Sequence, residues 1–365
     1  MRLFGKQKNK KSYGLDVGNG TIKLVELEHE LARQHTVLTR YSVRSTPPHS
    51  LANGIVQDPS PLRACLRTLL DEFECRSLPV ATVLTGQNLI VRQVEVPCMP
   101  AAEFRRVLHW QADSYFGIPA ANLAFDFQVV RQLPGNKMQV FLVGSPKQPI
   151  LDFAELLQEV GFSVKRVDIQ PLAALRSLRL SGALADTTFA EATVVLDLGA
   201  GTSNLSIFRG DDLQLVRVIG IAGNDFTRAI AQGRNISWEE AEVQKRRFGV
   251  LEGTAVYPYL QASWQALLQQ VNITLEYYQG ENPAAPVSRL LIIGGNSKLP
   301  GLVDSLAVSV HELFQRLNLA QPQVAQGNPC SSLPLAAGLD AREQGPILAV
   351  AIGLAMGEVM THVAR

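Results

Sequence analysis

The sequence has little net charge, few cysteines and no long apolar run, and each shortage excludes a class of protein. Its 34 lysines and arginines balance 33 aspartates and glutamates, so a net charge of +1 gives no case for bulk nucleic-acid binding. The four cysteines and six histidines show neither a Cys-x-x-Cys pair nor zinc-ligand spacing, which is typical of reduced thiols in a cytosolic protein. The longest strongly apolar run, 347–356, is about half of what a membrane-spanning helix needs.

The first twelve residues form a basic segment that we expect to be a flexible tail. It carries Arg2 and four lysines without one acidic residue, at Lys6, Lys8, Lys10 and Lys11. No apolar stretch follows it, so we do not expect a signal peptide. One interpretation is a solvated tail. The other is attraction to anionic lipid beside a membrane partner, because each such charge contributes about 1 kcal/mol at that surface.

The usual nucleotide-binding loops are also missing, since neither a Walker A sequence nor a Rossmann fingerprint occurs. One glycine-rich phrase occurs twice instead, as Asp16-Val17-Gly18-Asn19-Gly20-Thr21 and as Asp197-Leu198-Gly199-Ala200-Gly201-Thr202. We name these the first turn and the second turn. Each predicts a strand, a tight turn and a second strand, with glycines that supply positive φ and let backbone approach a ligand closely. A single copy is often an ordinary hairpin, whereas two copies at domain-scale spacing predict a facing pair.

The chemistry of these turns suits a polyphosphate and a metal ion. Successive backbone N–H groups in such a turn form a site for an anion, so two facing turns could hold one polyphosphate between them. Asp16 and Asp197 would repel that phosphate, which predicts a bridging Mg²⁺ held through water. The plain alternative is that each aspartate only accepts hydrogen bonds from its own turn.

The remaining sequence alternates strand-like and helical patterns, which predicts an α/β protein of two similar halves. We expect helices at 59–73, 103–116, 150–160, 237–248, 257–278, 302–313 and 346–363, and a hairpin around 134–136. Ser237 and Glu240 form a capping box. A small lobe from Ile90 to Gly161 interrupts the first half. We expect its aromatic residues to be mostly its own core: Trp110, Tyr115, Phe116, Phe125 and Phe127.

Taken in order, five segments resemble the motifs of the actin-like ATPase superfamily over nearly the whole chain. The two turns resemble its phosphate motifs, 169–174 and 349–357 its connecting helices, and 292–301 its adenosine motif. The resemblance implies a duplicated, ribonuclease H-like two-lobe fold that binds ATP or ADP with Mg²⁺. We therefore expect a tail at 1–12 and a first lobe at 13–190 with an FtsA-type insertion at about 90–161. A second lobe would follow at 191–341 with a helical subdomain at about 225–285, and a closing helix at 342–365 would pack on the first lobe.

The same resemblance implies roles for individual residues. It implies phosphate contacts at Gly18, Asn19, Gly20, Thr21, Lys23, Gly199, Ala200, Gly201, Thr202 and Gly223. At the last of these positions relatives often have Gly-Gly, whereas this chain has Ala222-Gly223. Glu242 and Lys245 would grip the ribose, although a surface ion pair is the plainer interpretation. The adenosine would meet Gly294, Gly295, Asn296 and Lys298. Gln170 stands where relatives position the attacking water, and a glutamine orients water but is a poor base, so we expect weak ATP hydrolysis or none.

Within the superfamily, the chain is most similar to the PilM family of type IV pilus assembly proteins. The similarity rests on 14–18 with 23–27, 110–115 with 118–119, 126–129 and 167–169. It implies a cytoplasmic ATP-binding scaffold, peripheral to the inner membrane, which captures the N-terminal cytoplasmic tail of the membrane protein PilN. The groove for that tail would lie between the first lobe and the insertion. Other pilus proteins, including the pilus motor ATPases, would be further partners.

Two other functions stay open from the sequence. One is an FtsA-like division adaptor or filament, although we find no long linker or amphipathic helix after the closing helix. The other is a small-molecule kinase, which needs a carboxylate base beside an acceptor hydroxyl. Asp168 is the candidate nearest to Gln170 for such a base.

Overall fold

The computed structural model describes residues 9–30, 35–52, 54–84, 89–180, 182, 184 and 189–363, with side chains as far as 357. In these ranges the strands are β1 (Lys10–Val17), β2 (Thr21–Glu30), β3 (His35–Ser45), β4 (Leu51–Ala52), β5 (Ile55–Val56), β6 (Leu78–Leu84), β7 (Ile90–Pro97), β8 (Leu123–Leu133), β9 (Lys137–Pro146), β10 (Phe162–Ile169), β11 (Ala192–Leu198), β12 (Ser203–Arg209), β13 (Asp212–Ile219), β14 (Val287–Ile293) and β15 (Gln323–Gln326). The helices are α1 (Pro59–Glu72), α2 (Ala101–Trp110), α3 (Ala112–Phe116), α4 (Lys147–Val160), α5 (Gln170–Leu180), α6 (Gly223–Arg234), α7 (Trp238–Phe248), α8 (Tyr257–Glu281), α9 (Leu302–Arg316) and α10 (Gly345–Val363).

The first lobe is built on a five-stranded sheet with the order β10-β6-β1-β2-β3. Strands β1 to β3 form an antiparallel meander, and β6 and β10 run parallel to β1. Helices α1 and α4 cover one face through a leucine-rich core, and α10 covers β1 and β2. Because β1 already begins at Lys10, the basic tail is shorter than the twelve residues that we expected, and residues 1–8 lie outside the described ranges.

The second lobe repeats this plan with the order β13-β12-β11-β14-β15. Strands β11 to β13 form the antiparallel meander, and β14 and β15 are the parallel additions. Helices α6 to α9 complete its core, in which Trp264 of α8 is fully buried. The equivalence of the two sheets confirms the prediction of an α/β protein with two similar halves.

Helices α5 and α10 lie between the two sheets, and the backbone of α10 is in close contact with the backbones of α5 and β1. A Cβ atom on Gly353 of α10 would lie 1.7 Å from the carbonyl oxygen of Ala173 in α5. A Cβ atom on Gly14 of β1 would lie 1.9 Å from the carbonyl oxygen of Ala351. Glycine is therefore required at both positions, and α10 is held against the first lobe. Within the described ranges, no helix is both long enough and apolar enough to cross a membrane.

The insertion is a three-stranded antiparallel sheet, β7-β9-β8, with α2 and α3 packed on one face. Its separate sheet ends at Pro146, and α4 packs on α1, so the insertion is shorter at its carboxyl end than the range to Gly161 that we expected. The helix expected at 103–116 is interrupted at Gln111 and forms α2 and α3. Four of the five aromatic residues join the subdomain core, but Trp110 is 84% exposed.

Candidate nucleotide-binding site

The two turns have equivalent places in the two sheets. Asp16 begins the first turn and lies opposite Lys23 in the β1–β2 register, and Asp197 begins the second turn and lies opposite Asn204 in the β11–β12 register. The Gly18 N–H donates to the Thr21 carbonyl at 3.1 Å in one turn. The Gly199 N–H donates to the Thr202 carbonyl at 3.2 Å in the other. The duplicated phrase thus produces duplicated backbone.

The glycines of these turns are needed for space and not for backbone conformation. None of Gly18, Gly20, Gly199 and Gly201 has a positive φ, so our expectation of left-handed glycines in the turns was wrong. A Cβ atom on Gly199 would lie 2.7 Å from the carbonyl oxygen of Thr202. A hairpin closed this tightly has no room for a side chain on its inner side.

The two turns touch each other across the cleft between the lobes. A Cβ atom on Gly20 would lie 2.7 Å from the Cβ of Ala200, and one on Gly201 would lie 2.1 Å from Asn19 Nδ2. The first turn is also braced from behind, because Thr46 Oγ1 donates to the Gly18 carbonyl at 2.6 Å. The facing arrangement predicted from the repeat is therefore present in the fold.

Asp16 is directly paired with a cation. Lys23 Nζ donates to Asp16 Oδ2 at 2.9 Å, and both side chains are largely buried, with 13% and 9% of their surfaces exposed. The lysine that we expected to reach a phosphate oxygen is therefore not a free surface residue. Its ammonium group lies at the foot of the first turn, where it partly neutralises the carboxylate.

Asp197 has a different environment, which contains amides where Asp16 has a cation. Gln170 Nε2 donates to Asp197 Oδ2, and Asn204 Nδ2 donates to Gln170 Oε1 at 3.0 Å. Burial raises the pKa of Asp197 to about 6, the charge of Asp16 adds to the rise, and Lys23 and the Gln170 hydrogen bond only partly oppose it. The second carboxylate is thus held by neutral donors at a high cost in free energy.

The second turn continues into the helical subdomain through backbone bonds. The Gly223 N–H donates to the Gly199 carbonyl at 3.1 Å, and the Asn224 N–H donates to the Ala200 carbonyl at 2.8 Å. Asn296 Nδ2 donates to the same Gly199 carbonyl at 2.6 Å. Gly223 and Asn296 are also in close contact, since a Cβ atom on Gly223 would overlap the Asn296 amide. These contacts join the second turn, the start of α6 and the adenosine-type motif.

The expected ribose pair forms a buried network. Lys245 Nζ lies 2.7 Å from Glu242 Oε2, 2.9 Å from Thr227 Oγ1 and 3.1 Å from the Gly223 carbonyl. These contacts use all three N–H donors of the lysine, whose side chain is 3% exposed. Burial lowers the pKa of Lys245, and the charge of Glu242 opposes that change. Glu242 keeps one quarter of its side chain exposed, so the carboxylate is the member of the pair that faces outward.

Around the adenosine-type motif the structure separates the predicted residues. Gly294 has φ 89° and lies so close to the second turn that a Cβ atom would be 2.3 Å from Asp197 Oδ1. Gly295 begins a short 3₁₀ turn and faces open space, whereas Asn296 is buried. Lys298 is exposed at the end of that turn. Gly294 and Asn296 therefore join the site directly, and nothing in the fold brings Lys298 to it.

Sequence reasoning missed Thr227 and assigned no role in the site to Asn204. Asn204 occupies in the second repeat the place that Lys23 has in the first, and from this alignment we expect only that the two turns are not chemically equivalent. Thr227 donates to Glu242 Oε2 at 2.7 Å and accepts from Lys245. Its helical spacing of four residues from Gly223 gives no hint of this role.

The residues fit a nucleotide with a magnesium ion. The carboxylates of Asp16 and Asp197 are hard oxygen donors, which Mg²⁺ prefers. The contacts at Gly201, Gly223 and Gly294 leave no room for side chains and bring Asn19, Asn296 and Asp197 close to the second turn. Among the residues that the structure describes, no group of three or more His, Cys, Asp or Glu could ligate a metal together. A separate cavity of about 590 Å³ is lined by the loop 330–342 and contains none of the predicted site residues.

The fold and site define an actin-like ATPase fold, and solved structures agree. The chain resembles MreB5 of Spiroplasma citri bound to AMPPNP with a TM-score of 0.54 and 11% identity, covering 97% of this chain and 98% of that one. It resembles a structure titled "PilM-PilN type IV pilus biogenesis complex" with a TM-score of 0.81 and 29% identity, covering 95% of this chain and 98% of that one. A model of the family described as type IV pilus assembly protein PilM matches residues 14–359. The chain belongs to this PilM family.

Relatives in cell division are more distant. The cell division protein FtsA of Streptococcus pneumoniae serotype 2 (strain D39 / NCTC 7466) is 21% identical, over 87% of this chain and 77% of the relative. FtsA of Escherichia coli (strain K12) is 24% identical over 67% of this chain, which spans 61% of that protein. These similarities place FtsA in the same branch of the fold.

Proposed function

We propose that this chain is an ATP- or ADP-binding scaffold of the type IV pilus assembly machine. The observation that carries the proposal is the meeting of two equivalent aspartate–glycine turns across the cleft, with Gly20 against Ala200 and Asn19 against Gly201. Such a pair presents backbone N–H groups and two carboxylates to one space. Membership of the PilM family supports a role for the chain in pilus assembly.

In this proposal the site residues divide the nucleotide among them. Asp16 and Asp197 would hold Mg²⁺, which would neutralise phosphate charge when bound. The turn residues Gly18 to Thr21 and Gly199 to Thr202, together with Gly223, would contact the phosphates, and Lys23 lies beside Asp16. Glu242 would accept a hydrogen bond from the ribose, and Lys245 holds Glu242 and α6 in place through its buried contacts. Gly294, Gly295 and Asn296 would contact the base.

Thermal unfolding with nucleotide tests the site. Mg-ATP at about 100 times its Kd stabilises a folded protein by about 2.7 kcal/mol, which raises Tm by roughly 5–10 °C for domains of this size. We expect that rise in the wild type and its loss in Asp197→Ala and Asp16→Ala. Asp304→Asn, on an exposed position of α9, is the matched control and keeps the rise. Equal shifts in all four proteins would reject the site.

We propose that the scaffold hydrolyses ATP slowly or not at all and acts by changing lobe closure. Asp197 and Asn204 each hold one polar end of Gln170, which fixes the orientation of its amide, and a glutamine is a weak base even when it is free. Nucleotide would then bias the population of closed lobes. Rapid turnover that depends on an added small-molecule acceptor would reject this proposal.

The carboxylate that could serve as the base of a kinase, Asp168, is engaged in other contacts. Asp168 contacts the Arg176 guanidinium, lies 3.3 Å from Arg166 Nη2 and accepts from the Ile169 N–H at 2.8 Å. Arg176 Nε in turn donates to the Gly353 carbonyl at 3.0 Å. Arg176 thus links α5 to α10, and the Asp168 carboxylate that it contacts has little freedom to take a proton from an acceptor. These contacts favour the scaffold.

We propose that the partner is the N-terminal cytoplasmic tail of a PilN-type inner-membrane protein, and that the chain is cytoplasmic and peripheral to the membrane. The proposal is supported by the similarity to a PilM–PilN complex at a TM-score of 0.81. Other pilus proteins and motor ATPases would join the same assembly. The insertion packs Phe141 of β9 into the core that includes Ala81 and Val83 of β6, so the insertion and the first lobe meet at a junction. A short extended peptide can bind at such a junction through apolar pockets and strand-like hydrogen bonds.

Membrane fractionation tests the partner. We expect this chain in the membrane fraction when it is co-expressed with the PilN-type protein, and in the soluble fraction when that protein lacks its cytoplasmic tail. Removal of the tail is the control that leaves this chain unchanged. Membrane association of the purified chain with protein-free vesicles would contradict the proposal and indicate an anchor of its own.

A further inference from the structure

Asn204 makes a different contact from Lys23, the residue at the equivalent place in the first repeat. Lys23 and Asn204 are the register partners of Asp16 and Asp197. Lys23 contacts its aspartate directly at 2.9 Å. Asn204 contacts Gln170 instead, and Gln170 contacts Asp197. The second repeat therefore places a glutamine from α5 between the aspartate and its cross-strand neighbour.

The hydrogen bonds from Asn204 to Gln170 and from Gln170 to Asp197 run in one direction. An ionised carboxylate only accepts, so the NH₂ group of Gln170 must face Asp197. That orientation turns Gln170 Oε1 towards Asn204, whose NH₂ group supplies the donor at 3.0 Å. Asn204 thereby fixes which end of the Gln170 amide faces the aspartate. A residue at 204 without a donor would leave the Gln170 carbonyl free.

We propose that Asn204 is a positioning residue that holds the Gln170 amide on Asp197 and so keeps ATP hydrolysis slow. This inference rests on the proposed nucleotide site. A glutamine that orients an attacking water must be able to turn its carbonyl oxygen or an N–H group towards that water. Here Asn204 takes one acceptor site of the Gln170 carbonyl and Asp197 takes one N–H of its NH₂ group, so the two bonds together fix the amide and oppose that rotation. Because Gln170 begins α5 and Asn204 lies on β12, the same bonds tie the connecting helix to the second lobe.

Single-turnover hydrolysis in Asn204→Ala tests the inference. Freeing the glutamine to orient water should raise the hydrolysis rate of bound ATP about tenfold, since misorientation of a reacting group typically costs one to two orders of magnitude. The Kd of ATP, measured separately, should change less than about threefold because the substitution removes no phosphate contact. Adding Gln170→Ala to Asn204→Ala should abolish the gain. The control is Asn272→Ala, which removes an asparagine bonded to Ser309 in the same lobe.

A second measurement needs no nucleotide. In the protein labelled with ¹⁵N-glutamine, the Gln170 side-chain amide is assigned by its disappearance in Gln170→Ala. Its hydrogen exchange should be slow in the wild type and at least about fivefold faster in Asn204→Ala, where the amide can rotate. Asn204→Ser, which keeps a short donor, should lie between them and also serves if the alanine variant does not fold.

The outcomes separate the inference from the proposed function. If the wild type binds no nucleotide, the proposed nucleotide site is rejected. The hydrogen-exchange measurement then tests the contact between Asn204 and Gln170 by itself. If ATP binds but Asn204→Ala neither hydrolyses faster nor exchanges its Gln170 amide faster, the inference is overturned. A gain in hydrolysis that survives Gln170→Ala also overturns it, because the gain then does not pass through Gln170.

Discussion

The first and second turns share one backbone but differ in their side-chain contacts. Both close with a hydrogen bond from a glycine N–H to a threonine carbonyl, at 3.1 and 3.2 Å. In the first turn the aspartate meets a lysine, and in the second it meets a glutamine that is itself held by an asparagine. Duplication preserved the hairpin, while the residue opposite each aspartate diverged. The first lobe therefore brings a positive charge to the cleft, and the second brings oriented amides.

The largest difference between the two turns should appear in how the free energy of unfolding depends on pH. Burial and the nearby Asp16 raise the pKa of Asp197 from 3.8 to about 6, so this carboxyl binds its proton more tightly in the folded chain than in the unfolded one. Stability is therefore lost as pH rises through this interval, and the full loss of about 3 kcal/mol is present above pH 6. Asp197→Asn should remove the penalty, so that its gain over wild type in urea unfolding grows from pH 4 to pH 7.5.

Asp304→Asn is the control for this titration, because Asp304 is exposed on α9. Its difference from wild type should stay nearly constant over the same pH range. A constant difference for Asp197→Asn would contradict the raised pKa and would make the two turns electrostatically alike.

The next largest effect should distinguish the closing glycines. A Cβ atom on Gly199 would lie 2.7 Å from a backbone carbonyl oxygen, and one on Gly18 would lie 3.2 Å from the equivalent oxygen. Overpacking costs about 1–3 kcal/mol, so we expect Gly199→Ala near the upper end and Gly18→Ala near 1 kcal/mol. Urea unfolding of both variants measures the difference. Equal losses would mean that the two hairpins are equally tight.

Removal of the cation from the first turn should have a smaller effect on stability. Lys23→Met leaves Asp16 without its charged donor in a largely buried position, which should cost about 1.5 kcal/mol in urea unfolding. Lys137→Met is the matched control, since its pair with Glu95 spans 3.5 Å and both side chains are more than half exposed. A similar small loss in both variants would show that Lys23 contributes no more than a surface lysine.

The smallest effect should come from the contact between the turns. Gly201→Ala places a methyl group against the flexible Asn19 side chain, which can move, so we expect a loss below about 1 kcal/mol. Asn19→Gly added to Gly201→Ala should recover the loss, and a double-mutant cycle in urea unfolding measures the coupling. Ala200→Gly should give no recovery, because Ala200 faces Gly20 instead. Additive effects of the first pair would show that the turns do not touch in solution.

Local pattern was sufficient to predict most of the fold. Alternation of apolar residues and the repeated Asp-x-Gly-x-Gly phrase predicted the β1–β2 and β11–β12 hairpins, and Ser237 with Glu240 predicted the start of α7, where both capping bonds form. These features depend on neighbours in sequence. Gln111, where the predicted helix breaks into α2 and α3, has no such signal, since no proline or glycine marks it.

The parts of the site that depend on distant contacts could not be predicted from spacing. Lys245 was expected at the surface or on the ribose, yet it is buried because Gly223, Thr227 and Glu242 together satisfy its ammonium group. Periodicity on α7 cannot show that α6 supplies those partners. The positive φ that we expected of the turn glycines is absent, and the tight space around them could not be predicted because it depends on the opposing backbone.

The close packing of α10 has a consequence for synthesis of the chain. Strands β1 to β3 leave the ribosome first, yet the helix that covers them begins about 300 residues later, after roughly 15–60 s of elongation. The second lobe occupies one continuous stretch and can be completed earlier. Val25, Leu27 and Leu38, which pack against Leu348 and Ile352 in the finished protein, must wait for α10. The half of the protein that is translated first is therefore the half that finishes folding last.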